Sequence, residues 1–346
     1  MKLAFMGTPD FAVPVLHRLI ESPHEVCLVV TQASKRQGRG QKVVDPPVKT
    51  MADEQGIRVL QPFNLRKEPI DDLIRELEID ILVVAAYGKI LSASLLDAPK
   101  IGCINVHASL LPEYRGAAPI QRALIDGRHD TGVTIMEMVV ELDAGPMMAQ
   151  ESLEIHSDDD ARSLTDMLAV VGADLLLRVL VDVEKAGKIE GEPQDEDKVS
   201  YAERITKEEG WINWEETSLA LMYRLRGLTP WPGLFTSVDK KRLRIVQAEL
   251  LNDESASVSG SSGQFTAADD PEVVDVSRDL GGLDDSLDPG CVAGFDPEFG
   301  FIVRTGDGYL LVTSVQLEGK KEMDAPAFLR GTKLSVGQRL GYHRLV

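Results

Sequence analysis

Leu3-Ala4-Phe5-Met6-Gly7-Thr8-Pro9-Asp10, followed by Phe11, Val15, Leu16, Leu19 and Ile20 and then by the apolar run 26–31, reads as strand, turn, helix and strand. Both strands are short, continuous apolar runs, the pattern of strands buried on two faces. The helix carries its apolar residues three and four apart, with Thr8 as its N-cap and Pro9 as its first residue. A strand–helix–strand unit of this length predicts a parallel sheet with a right-handed crossover. The Gly7 turn is not G-x-G-x-x-G, so no dinucleotide site is expected there.

The pattern continues outward. Residues 33–45 read as a polar loop holding Lys35, Arg36, Arg39 and Lys42 among glycines. Helices are expected over 48–55 and 69–77, a short strand at 58–60, and a central buried strand over 79–86 that ends at Tyr87-Gly88. A strand over 101–106 runs into His107, then a turn at 113–116 and a helix over 117–125. Strands over 132–138 and 147–155 flank a tight turn at Glu141-Leu142-Asp143-Ala144-Gly145, and a long helix covers 158–186. The fold class is α/β: a Rossmann-like, mostly parallel sheet with helices on both faces. This first domain spans 1–187, and the Glu-, Asp-, Gly- and Pro-rich stretch 188–206 reads as a linker.

Residues 207–346 differ in character. A helix over 218–225 precedes short strands over 234–238, 242–249, 300–305 and 309–316, with Gly306-Asp307-Gly308 as a hairpin turn. Several short strands with glycine-containing turns predict a small, OB-like β-barrel. Residues 252–290 interrupt it with ten acidic residues and one Arg, few large apolar groups and much Ser and Gly, and are expected to be disordered.

At 346 residues the chain suits two domains, and 43% hydrophobic content is that of a globular protein. No run of 18 apolar residues exists, so no membrane span is expected, and the N-terminal residues lack the pattern of a signal peptide. Cys27, Cys103 and Cys291 are widely separated and form no C-x-x-C, which argues for a reducing, cytoplasmic setting. Apart from His107, none of His17, His24, His129, His156 and His343 is spaced with Cys or another His as a metal ligand, and no metal is expected. A net charge of −19 counts against a nucleic-acid partner, but about half of it sits in 252–290, leaving room for a local basic surface.

Chemistry concentrates at strand ends of the first domain. In Cys103-Ile104-Asn105-Val106-His107-Ala108-Ser109-Leu110-Leu111-Pro112, Asn105 and His107 lie two apart on a strand and face one way. An amide and an imidazole aimed together are a donor and a base for acyl chemistry. On spacing alone a structural Asn and His fit equally well. Asp143, in a turn bounded by Gly145, is the best carboxylate to join them, although Asp in a turn needs no function to explain it.

Together these residues resemble a known family. N-V-H-A-S-L-L-P-E-Y-R-G at 105–116, the following A-A-P-I-Q-R and L-D-A-G at 142–145 are similar to the 10-formyltetrahydrofolate-dependent formyltransferases. M-G-T-P-D-F at 6–11, the Gly38-Arg39-Gly40 loop, V-A-A-Y-G at 84–88, Lys207-Glu208-Glu209, Trp231-Pro232 and Gly319-Lys320-Lys321 extend the likeness to members that formylate methionyl-tRNA. The resemblance covers nearly the whole chain except 252–290.

It implies transfer of a formyl group from 10-formyltetrahydrofolate, a cosubstrate, to the α-amine of methionyl initiator tRNA, without a metal. It implies that Asn105 donates to the developing oxyanion, that His107 relays the amine proton or stabilises the oxyanion, and that Asp143 orients the imidazole. It places the folate against Ser109, Leu110, Leu111 and Pro112, with Tyr87, Gly88 and the backbone of 139–142 walling the ring. It gives tRNA contacts to Arg39, Lys42 and Lys207, with Lys240, Lys241, Arg242, Arg244, Lys320 and Lys321 as further candidates. A monomer without membrane association is expected.

Glu141 stands where the family more often has Gly, and Ala33-Ser34 where Pro-Asp is usual. The acidic stretch has no family counterpart. Two other readings stay open from sequence: a different 10-formyltetrahydrofolate enzyme (an amino-sugar or purine-precursor N-formyltransferase, or a hydrolase) and a non-catalytic RNA-binding protein.

Overall fold

Strand β1 (Lys2–Gly7), helix α1 (Ala12–Glu21) and strand β2 (Glu25–Val30) form the opening unit, with β1 and β2 parallel and Leu3 opposite Val26. The computed structural model describes residues 1–37, 40, 42–251, 283–284 and 286–341. Helix α1 buries Ala12, Val15, Leu16 and Leu19, the face its spacing selects. It begins four residues after Thr8, with Phe11 at the N-cap. The Thr8 hydroxyl is used elsewhere: it donates to the Tyr87 carbonyl at 3.3 Å and accepts from the Gln32 N–H at 3.4 Å, tying together three strand ends.

Residues expected as a loop form a two-stranded ribbon, β3 (Lys35–Gln37) and β4 (Lys42–Val44), with Arg36 opposite Val43. Nothing apolar alternates inward here, and Val43 is 65% exposed, so the pairing satisfies backbone groups rather than burying a face. Helix α2 (Pro47–Glu54) and strand β5 (Val59–Leu60) follow, then α3 (Asp71–Glu76), β6 (Ile81–Ala85), α4 (Ala93–Leu96) and β7 (Gly102–His107). Strand β8 (Arg115–Gly116), helix α5 (Pro119–Ile125), strands β9 (Asp130–Glu137) and β10 (Met147–Glu154), helix α6 (Ala161–Ala186) and strand β11 (Tyr201–Ala202) complete this part.

The main sheet runs β10-β9-β7-β6-β1-β2-β5. Strands β7, β6, β1, β2 and β5 are parallel, and β9 and β10 are antiparallel at one edge. One core groups Ala4, Met6, Leu28, Val30, Leu82, Val84, Tyr87 and Cys103. By alternation along β7, Asn105 and His107 share the face of Cys103.

The chain divides into two compact units: Met1–Arg122 with His129–Ile155 and Ser163–Arg204, and Ala123–Arg128 with His156–Arg162 and Ile205–Val346. The stretch read as a linker therefore belongs, as far as Arg204, to the first unit. Glu192 exchanges two backbone hydrogen bonds of 2.8 Å with Met147, and β11 pairs in parallel with β8.

The second unit contains helix α7 (Ser218–Leu228), capped by the Thr217 hydroxyl, and strands β12 (Leu234–Val238), β13 (Lys241–Leu251), β14 (Val292–Asp296), β15 (Gly300–Arg304), β16 (Tyr309–Leu317) and β17 (Met323–Asp324), with helix α8 (Ala325–Gly331). The antiparallel order is β12-β13-β16-β15-β14, with β17 on β16. Gly341 bridges Ser237 of β12 and Arg339 bridges Cys291 beside β14, so the two edges share one neighbour and the sheet closes. Strand β14 and helix α8 escape the sequence reading, the first because Gly294 breaks its apolar run. Residues 252–282 and 285, most of the acidic stretch, lie outside the described residues, as does Arg39.

Candidate active site

Strand β7 presents the two polar side chains that a buried strand would otherwise lack. Asn105 is paired through its backbone register with Val84 on β6 and Met136 on β9, and His107 lies opposite Thr134. Asn105 is 8% exposed and His107 5%. Buried polar groups are ordinarily hydrogen-bonded. Among the described residues nothing hydrogen-bonds the Asn105 side-chain amide. A donor held on a rigid strand and left unpaired is free to meet an oxygen brought from outside.

His107 is committed on one side. Its Nε2 lies 3.0 Å from the Tyr114 carbonyl oxygen. A carbonyl only accepts, so Nε2 carries the hydrogen and Nδ1 of the neutral ring holds the lone pair. Nδ1 faces Asp143 Oδ2 at 3.8 Å, within ion-pair reach but beyond a hydrogen bond. The arrangement suits an imidazole that gains a proton at Nδ1 and finds a carboxylate beside the new charge.

Asp143 reaches this position by a route the sequence conceals. Strand β9 runs against β7, and its last residue, Glu137, pairs with Ile104 rather than with the His107 end. The 138–146 connection carries Asp143 back to the imidazole. It packs closely enough that a Cβ at Gly145 would overlap the Glu137 carbonyl oxygen, so only glycine fits there. Asp143 itself takes φ +50°, a left-handed conformation that Asp tolerates better than most residues. Its Oδ2 accepts the Gly116 N–H at 2.9 Å, and Gln194 Nε2 donates to the carbonyls of Asp143 and Gly145, each at 2.8 Å.

The stretch after β7 is fixed by one threonine. Thr134, fully buried, donates its hydroxyl to the Ser109 carbonyl at 2.7 Å and accepts from Leu111 N–H at 3.0 Å and Gln150 Nε2 at 2.9 Å. Gln150 also donates to the Leu111 carbonyl at 2.8 Å, and the Ser109 hydroxyl donates to the Glu113 carbonyl at 2.7 Å. Leu111-Pro112 is a cis peptide. Leu111 is 3% exposed and turned inward; Leu110 and Pro112 are half-buried. Tyr87 is buried in the core beside β6, its hydroxyl without a partner, and burial pushes its pKa up to about 12. Gly88, at φ +77°, brings the backbone to the Gln32 amide, where a Cβ would sit 2.8 Å from Nε2. Gln32 Nε2 in turn donates to the Tyr87 carbonyl at 2.8 Å.

Of the basic candidates described, the lysines are exposed, whereas Arg242 lies half-buried with its guanidinium 4.8 Å from the Phe235 ring and Arg244 lies half-buried, donating to the Pro230 carbonyl at 3.0 Å. Lys42 lies on β4 of the first unit and Lys207 ahead of a short 3-10 turn of the second, each without a charged partner among the described residues. Among the described residues, no group of three or more His, Cys, Asp or Glu side chains could hold a metal ion, and no helix is long and apolar enough to cross a membrane.

Residues 1–180 match the formyl transferase family and residues 204–333 the formyl transferase C-terminal domain. The chain belongs to the formyl transferase family. Curated relatives agree along its full length. The methionyl-tRNA formyltransferase of Geobacter metallireducens is 42% identical over 99% of both chains, and that of Ruminiclostridium cellulolyticum is 40% identical over 99% of this chain and 100% of its own. Among solved structures, an N-formyltransferase from Helicobacter canadensis, crystallised with folinic acid and dTDP-3-aminofucose, covers 90% of this chain and 98% of its own at TM-score 0.60 and 18% identity. HypX from Aquifex aeolicus in complex with tetrahydrofolic acid covers 99% of this chain and 51% of its own at TM-score 0.57 and 14% identity. These two likenesses speak to the fold: a mixed, mostly parallel sheet with helices, followed by an antiparallel sheet domain.

Three participants escape the family pattern as read from sequence: the Tyr114 carbonyl, the Gly116 N–H and Gln194. Two are backbone groups and leave no residue-type signal. Gln194 lies in a stretch whose composition reads only as connection.

Proposed function

We propose that the protein is a methionyl-tRNA formyltransferase, moving the formyl group of 10-formyltetrahydrofolate to the α-amine of methionyl initiator tRNA. What carries the reading is the match of relatives bearing that name across 99% of the chain, second unit included.

The residues suit that reaction. The donor supplies a formyl group already activated on its carrier nitrogen. The unpaired Asn105 amide donates to the formyl oxygen as negative charge develops there. As the amine attacks the formyl carbon, His107 takes its proton at Nδ1, the atom left with a lone pair by the Nε2 donation to Tyr114; the proton passes to the carrier nitrogen as its bond to the formyl carbon breaks and tetrahydrofolate leaves. Asp143 Oδ2, 3.8 Å away, stabilises the imidazolium so formed. A gap of that width in the free protein is compatible with a contact that tightens when substrate excludes water.

Ser109, Leu110, Leu111 and Pro112 would hold the flat ring of the donor, with Tyr87 and Gly88 behind it. Val140 and Leu142, just ahead of Asp143 in the chain, are 61% and 60% exposed, apolar surface that such a ring would cover. Lys42 and Lys207, with Arg39, would contact phosphates of the tRNA. The enzyme would act in the cytoplasm, as a monomer and without metal.

The test is to incubate the purified protein with labelled 10-formyltetrahydrofolate and methionyl initiator tRNA, a free amino sugar, or water alone. Label recovered in formyl-methionyl-tRNA supports the reading. Label appearing mainly as formate or on the amino sugar assigns another formyl-transfer reaction, and tight tRNA binding without turnover assigns a binding protein.

A further inference from the structure

We propose that Gln194 is a positioning residue for the transfer, holding the loop that presents Asp143 to His107. This rests on the reaction proposed above. The Gln194 amide has two ends and both are chemically determined. Arg115 Nε, which can only donate, lies 3.0 Å from Oε1. The carbonyls of Asp143 and Gly145, which can only accept, each lie 2.8 Å from Nε2. The orientation of the amide is therefore fixed by its neighbours, not chosen.

The brace continues outward. Arg115 is 4% exposed, and its guanidinium makes a two-pronged contact with Glu196, at 2.8 and 3.4 Å. The next residue, Gly116, donates its N–H to Asp143 Oδ2. One end of the Asp143 turn is thus held through its carboxylate by the backbone of β8, and the rest through its carbonyls by Gln194. Arg115 links the two supports, because it precedes Gly116 in the chain and bonds Gln194 through its side chain.

The turn needs outside support. Its central residue has positive φ, and its neighbours Val140, Glu141 and Leu142 are exposed and contribute no burial. Without Gln194, the Asp143 and Gly145 carbonyls lose their donor and the carboxylate is free to swing from Nδ1. Among the described residues the Gln194 side chain hydrogen-bonds Arg115, Asp143 and Gly145, and neither the imidazole nor a group assigned to substrate. Its effect on the rate passes through Asp143.

The closing experiment uses the full-length protein and four variants: Gln194→Ala, Gln194→Glu, Asp143→Ala and the Gln194→Ala/Asp143→Ala double. Gln194→Glu keeps the shape and strengthens the contact with Arg115, but it places an oxygen against both carbonyls. Loss of positioning by a displacement near 1 Å corresponds to a fall in kcat of about 10- to 100-fold. That fall is expected in both single Gln194 variants, with KM for each substrate within about 3-fold, since the proposed binding residues are untouched. On the Asp143→Ala background the Gln194→Ala change is expected to cost less than about 2-fold, the non-additivity of groups that act as one unit. Melting curves show whether each variant is folded, and Gln194→Glu carries the test should Gln194→Ala not fold.

Near-parental kcat in Gln194→Glu overturns the inference. So does an equal fold-loss with and without the Asp143 carboxylate, which would mark Gln194 as a strut for the fold alone. A parent that forms no formyl-methionyl-tRNA overturns the functional reading itself, an outcome separate from these two.

Discussion

Replacing Asn105 by alanine separates catalysis from stability, because the amide is a group the free protein leaves unused. A fully buried polar group without a partner costs about 1–3 kcal/mol of stability; the Asn105 amide is not among the fully buried unpartnered atoms, so its cost lies at the low end, and removing it returns that amount. The truncation forfeits packing worth roughly the same. With Asn105 8% exposed and unpaired among the described residues, the two changes offset. The unfolding free energy is expected to stay within about 1 kcal/mol of the parent. The rate is expected to behave otherwise: loss of one oxyanion donor costs about 10²–10³ in kcat, or roughly 2.7–4 kcal/mol. Single-turnover transfer of labelled formyl to methionyl initiator tRNA, with urea unfolding of the same preparation, measures both. A variant that keeps more than about half the parental rate while losing over about 2 kcal/mol of stability would refute the assignment, since that is the signature of a structural asparagine.

His107→Ala is expected to lower kcat by about 10²–10⁴, with tRNA affinity, measured by filter binding, nearly unchanged. Tyr87→Phe removes a buried hydroxyl that has no partner, and the melting temperature at neutral pH is expected to hold or rise. It should also flatten the alkaline loss of stability. Burial raises the Tyr87 pKa from 10.0 to about 12, so the folded state keeps a proton that the unfolded chain releases, and stability falls as pH climbs through that window. Unfolding curves between pH 9 and 12 compare parent and variant, with Cys103, raised from 9.0 to about 12, still contributing in both. Lys42→Ala is expected to weaken tRNA binding and to reduce the slope of log affinity against log salt by about 0.7–0.9, one phosphate contact.

Much of the first unit is legible in the sequence because its central strands are buried on both faces. The runs that become β6 and β7 admit no polar residue without a reason, and Asn105 and His107 stand out on β7 for that cause. The pairing of Gly300–Arg304 with Tyr309–Leu317 is readable from Gly306-Asp307-Gly308 between them. What escapes is whatever depends on distant polar contacts. Thr8 has the makings of a helix cap, yet its hydroxyl serves the ends of β2 and β6, a competition that local pattern cannot decide. The β3–β4 ribbon buries almost nothing and leaves no periodicity. Gln194 meets the Asp143 turn from some fifty residues away, and a single glutamine in an acidic stretch carries no mark of it. The approach of Asp143 to His107 likewise depends on the 138–146 connection folding back after β9 has run away from His107, and on its contacts with Gly116 and Gln194.

Thr134 has a further consequence. One hydroxyl fastens two backbone groups of the Ser109–Leu111 segment, the Ser109 carbonyl and the Leu111 N–H, so the wall proposed for the donor ring is held in place before anything docks on it. A wall so held loses no loop entropy on docking, and it has no soft mode with which to accommodate a poor fit. Ring systems enlarged by a single substituent on that side should be refused outright, making selectivity there a matter of exclusion by shape.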